Sequence, residues 1–96
     1  MCMEKNVKIT VEDVCPLVDE ISVKSAHLDA DGIEQSKLTY DLGFDSFDFV
    51  RLVQGIEQLP KMRGFVVDEK VGRDLRLDMN MGEFLEAVNK NICVHP

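Results

Sequence analysis

The residues with the clearest capacity for chemistry lie in Asp41-Leu42-Gly43-Phe44-Asp45-Ser46-Phe47-Asp48-Phe49-Val50. A glycine-containing turn delivers an Asp-Ser pair to the start of an apolar, helix-periodic run. Ser46 is therefore expected where a helix begins, with its hydroxyl pointing outward. Unpaired backbone N–H groups and the positive end of the helix dipole make such a place hospitable to a phosphate. The bland alternative is an ordinary N-cap serine. No base is at hand to activate a nucleophile, because His27 and His95 stand alone in a loop and in the tail, with no motif to orient either.

Other chemistries are excluded by arithmetic. Cys2, Cys15 and Cys93 are odd in number and lack CxxC spacing, and with two histidines no metal site of ordinary ligand spacing can be written. The cysteines read as small buried hydrophobes in a reduced chain. Asp29-Ala30-Asp31-Gly32 invites a calcium-loop reading. If Gly32 is the turn glycine, the position for the bidentate Glu falls on Leu38, so the stretch is a solvated turn instead. The formal net charge of -7, from 18 acidic and 11 basic residues, argues against nucleic acid and favours basic protein surfaces as partners.

The elements that must position Ser46 follow from periodicity. Ninety-six residues make one domain, with its core at about 10–91 and flexible ends at 1–9 and 92–96. Thr10 opens a first helix whose stripe is Val11, Val14, Cys15, Val18 and Ile21. Pro16 lies inside that stripe: either the helix is kinked near Val11–Cys15, or the first turn is separate and the main helix starts at Pro16 as N1, and the single kinked helix is the favoured expectation. A long connection without regular structure follows from about Lys24 to Asp45, pinned by Leu28, Ile33, Leu38 and Leu42. The second helix runs from Ser46 to Gln58. Phe49, Leu52, Val53 and Ile56 form its main apolar face, with Phe47 and Val50 in a strip beside it. Pro60 ends it, Lys61-Met62-Arg63-Gly64 is a basic loop, and Asp68–Gly72 is a short third helix. Asn80-Met81-Gly82-Glu83 reads as a capping box that opens a last helix bearing Met81, Phe84, Leu85 and Val88. No apolar run approaches the ~20 residues of a membrane span, and the start Met1-Cys2-Met3-Glu4-Lys5 lacks the apolar stretch of a signal peptide, so a cytoplasmic monomer is the expectation.

The motif Asp41-Leu42-Gly43-Phe44-Asp45-Ser46-Phe47 resembles the D-L-G-x-D-S-L signature of acyl carrier proteins, matching at six of seven positions with Phe47 where Leu is usual. The order of elements is similar too, over about residues 10–91. The resemblance implies an all-α four-helix bundle of acyl-carrier type: three longer helices, a short third helix, and a long loop between helices 1 and 2. It implies that Ser46 carries 4′-phosphopantetheine, attached by a phosphopantetheinyl transferase from coenzyme A. The protein would be a carrier of acyl thioesters rather than an enzyme, serving fatty acid, specialised lipid or polyketide synthesis. Asp41, Leu42, Gly43, Asp45, Phe47, Asp48 and Arg51 would form the motif and the docking surface for acyl-loading and condensing enzymes. Phe49, Val50, Val53 and Phe65 would line an acyl pocket. Arg51 departs from the family, which usually offers an acidic residue one turn after the serine, and suggests a specialised carrier. The alternatives are a peptidyl or aminoacyl carrier, and a helical interaction module that is never modified.

Overall fold

The computed structural model describes residues 7–22, 28–76 and 78–94. Cys2, His27 and His95 lie outside them, as do residues 1–6 and 95–96 of the expected flexible ends 1–9 and 92–96. Among the described residues, four α-helices, two 3-10 segments and a small two-stranded sheet are built around one apolar core.

Helix α1 spans Val11–Ile21, and the Asp13 carboxylate accepts hydrogen bonds from the Thr10 amide (2.9 Å) and hydroxyl (3.0 Å). Pro16 is inside this single helix. Pro16 and Glu12, whose carbonyl loses its partner to the ring, are both exposed, so water can replace the missing bond. Val11, Val14 and Val18 are buried, and α1 crosses α3 (Ser46–Glu57) where Leu17 lies against Gly55. A Cβ on Gly55 would sit 3.1 Å from Leu17 Cδ2.

The long connection is not structureless. Asp29 caps a short helix α2, Ala30–Gln35, by accepting from the Gly32 amide at 2.7 Å. The Asp-Gly stretch is thus a helix start, not a loop turn. Lys37 then forms an antiparallel bridge with Asn80, flanked by Leu38 N–H to Met79 O (3.1 Å) and Met81 N–H to Ser36 O (3.0 Å). Ile33, Leu38 and Leu42 are buried as expected, whereas Leu28 is exposed.

The all-α expectation fails at two short apolar runs. Strand β1, Phe65–Val67, pairs antiparallel with β2, Ile92–Val94, in the register Phe65 to Val94 and Val67 to Ile92. Each run is only three residues long, too short for alternation to reveal a strand, and the partners are remote in sequence. Ile92–Val94 therefore pack rather than fray, with Ile92 fully buried. Ile9 is buried too. The Asn89 carboxamide accepts from its N–H (2.8 Å) and donates to its carbonyl (2.9 Å).

The third helix is a 3-10 segment, Glu69–Arg73, capped by Asp68. Helix α4, Met81–Lys90, opens with the reciprocal Asn80–Glu83 box. The core is filled by side chains including Val14, Val18, Leu52, Ile56, Phe84 and Val88, all essentially inaccessible. Among the described residues no helix is long and apolar enough to cross a membrane.

Candidate functional site

Each motif residue from Asp41 to Asp45 has a structural task that delivers Ser46 to the surface. The Asp41 N–H donates to the Lys37 carbonyl (2.8 Å), and the Asp41 carboxylate accepts from the Lys37 amide (2.7 Å), closing a turn. Leu42 is buried, and its carbonyl accepts from the buried Ser22 hydroxyl at the end of α1 (2.6 Å). Gly43 has φ 73°, the left-handed region that glycine enters without penalty. Phe44 N–H then returns to Leu38 O at 2.9 Å.

Asp45 is the N-cap of α3. Its carboxylate accepts from the Asp48 amide (2.9 Å), and the Asp48 carboxylate accepts from the Asp45 amide (3.1 Å). Phe44, just before the cap, packs edge-on against Phe49 with ring centroids 6.2 Å apart. This is a hydrophobic staple that fixes how the chain enters the helix. Ser46 is consequently the first residue inside α3 and exposed. Its hydroxyl has no hydrogen-bond partner among the described residues, and the cap role belongs to Asp45.

The other expected site residues are distributed unevenly. Phe47 and Val50 are 74% and 53% exposed, so they do not extend the buried face of α3. Arg51 reaches back to Asp48 at 3.8 Å across an exposed helical turn. Of the acidic residues expected to face partners, Asp45 and Asp48 bind each other's amides. Glu57, at the far end of α3, accepts from the Val67 N–H at 2.9 Å. Lys61 does not add charge beside Ser46. Its ammonium donates to Asp13 (2.7 Å) and to the Lys8 carbonyl (2.9 Å), tying the turn at Pro60–Met62 to the start of α1. Burial pushes the Asp13 pKa up, but the hydrogen bonds from Lys61 and Thr10 and the Lys61 charge outweigh it, leaving the carboxyl below its ordinary value.

Phe49 is buried between Phe44 and Phe84, whose ring centroid lies 6.0 Å away. Val53 and Phe65 are half-buried and Val50 is exposed. None of these four lines the open cleft of about 630 Å³ between the start of α1 and α4, which is bounded by Ile9, Thr10, Glu34, Gly82, Leu85 and Glu86 among others.

Cys15 is a free, half-buried thiol whose pKa is raised by burial and by Asp19 and Glu12. Cys93 is disulfide-bonded. The expectation of a reduced chain thus loses support at that position. No group of side chains suited to a metal ion occurs among the described residues.

Two positioning residues escaped the sequence reading. Ser22 lies four residues after Val18 on the apolar stripe of α1, and a polar residue there was the available sign of a buried hydrogen bond. Phe44 occupied the variable position of the motif, and its spacing to Phe49 was the sign of a staple. Comparison with family models, with curated proteins and with solved structures finds no match to the chain.

Proposed function

We propose that this chain is an acyl carrier whose Ser46 bears 4′-phosphopantetheine. The observation that carries the reading is the division of labour at the head of α3. Asp45 caps the helix, which leaves the Ser46 hydroxyl exposed and unpartnered. The Ser46 and Phe47 amides also have no hydrogen-bond partner among the described residues. An exposed oxygen beside two free amides at a helix N-terminus fits a phosphodiester. The Asp45 and Asp48 carboxylates oppose an anion there, but both are already engaged by backbone amides.

When bound, the group supplies a flexible arm ending in a thiol that holds an acyl group as a thioester. The chain's own residues hold the serine outward and fix the turn before it, through Ser22, Asp41 and Gly43. A phosphopantetheinyl transferase drawing on coenzyme A would modify Ser46, and acyl-loading or condensing enzymes would then dock around it. Arg51, 69% exposed at its side chain, puts a cation on that surface and favours a specialised set of partners over those of a general fatty-acid carrier.

One observation favours a second reading, a protein-interaction module that is never modified: Tyr40, Phe47 and Val50 are all large and exposed. Intact-protein mass separates the two. Incubation with coenzyme A and a broad-specificity transferase is expected to add one phosphopantetheine to the parent and none to Ser46→Ala. No gain with any of several transferases favours the interaction module.

A further inference from the structure

We infer that the bundle is closed to long acyl chains at Ser46, so that cargo on its arm stays outside the protein and belongs to the short or polar acyl class. This rests on the carrier reading and adds what the carrier can hold.

The inner face of the first turn of α3 is the direct way from Ser46 into the core, and aromatic rings fill it. Phe49, three residues after Ser46, is 7% exposed. It meets Phe44 edge-on at 6.2 Å and Phe84 of α4 at 6.0 Å. Phe44 and Phe84 are 2% and 0% exposed, and Leu38, Leu42 and Leu52 of the same core are 0–1% exposed. Phe49 cannot swing aside at no cost, because the Phe44–Phe49 contact is also the staple that starts the helix. A close-packed interior accepts added methylenes only by forcing side chains off their rotamers and shifting backbone. The cleft between the start of α1 and α4 is bounded by no residue of α3 and includes the charged Lys8, Glu12, Glu34, Glu86 and Lys90. It is neither beside Ser46 nor apolar enough for a hydrocarbon chain.

The test loads Ser46 with acetyl-, octanoyl- and dodecanoyl-phosphopantetheine and measures the thermal midpoint and the rate of thioester cleavage by hydroxylamine. A buried chain stabilises the native state by linkage and shields its thioester, so both readouts respond to sequestration. In the parent, both are expected to stay flat along the series. In Phe49→Ala, and in the milder Phe49→Leu should the alanine variant fail to fold, the longer chains are expected to raise the midpoint and slow cleavage severalfold. A midpoint that climbs with chain length in the parent overturns the inference while leaving the carrier reading intact. Should Ser46 refuse the arm, the carrier reading fails. The packing claim is then decided by alkylating Ser46→Cys, in a Cys15→Ala background, with alkyl reagents of the same lengths: flat midpoints uphold the closed core, and rising ones overturn it.

Discussion

A serine at the start of a helix has two uses for its hydroxyl. It can accept an amide hydrogen bond as a cap, or it can be left for something outside the fold. Here the neighbouring aspartate takes the first task, so the two roles can be separated by single substitutions. Ser46→Ala removes no hydrogen bond, and it should leave stability within about 0.5 kcal/mol of the parent, as surface changes away from special features do. Asp45→Ala removes the cap and half of the reciprocal box with Asp48, and should cost about 1 kcal/mol. Urea denaturation of the two variants is the check. A costly Ser46→Ala with a neutral Asp45→Ala would return the serine to an ordinary capping role and weaken its assignment as an attachment point.

At the scale of elements, legibility followed length and local signalling. Helices α1, α3 and α4 were readable because each has an apolar stripe several turns long and a capping residue in sequence. Thr10 and the Asn80–Glu83 box fell where they were expected. Helix α2 was not readable. It has six residues and buries only Ile33, so no periodicity accumulates, and its cap, Asp29, sits in an Asp-Gly context that equally describes a turn. The strands were hidden for a related reason, since their pairing is non-local and neither run can announce its partner. The motif was legible as a turn that leads into a helix at Ser46, while the use of its acidic residues as caps was not. Asp13 shows how an element end carries a titration. Its folded pKa is depressed, so its contribution is fully present above the ordinary carboxylate value of 3.8 and is lost as pH falls through the folded value. Asp13→Asn should cost about 1 kcal/mol at neutral pH, for a lost helix cap and a partly exposed ion pair. The gap from the parent should narrow as the solution is acidified below the ordinary carboxylate range. A gap that stays constant through acid would mean that the Asp13 charge, and Lys61 with it, contributes nothing.

At the scale of the molecule, the sheet and the residue before β2 fasten the last described residues to the segment that follows α3. The Asp68 N–H donates to the Asn91 carbonyl at 2.7 Å, while the Asn91 side chain donates to Ala87 O (2.8 Å) and to Asp74 (3.1 Å). Asn91 thus ends α4 and fastens the segment between the strands, and Ile92 follows it into the core at 0% exposure. A frayed tail would make Ile92 dispensable. A packed one makes it a core residue, and Ile92→Ala should then cost about 2–4 kcal/mol through lost burial and an unfilled cavity. For a domain of this size that lowers the thermal midpoint by about 4–8 °C per kcal/mol. Val94, opposite Phe65 on the same strand but 48% exposed, serves as the internal control, and Val94→Ala should cost well under 1 kcal/mol. The two variants change the same short strand by a similar number of carbons, so a difference between them reports burial and not strand propensity. Equal, small effects would mean that β2 does not hold its partner in solution, and β1 would then have to find other cover for Val67.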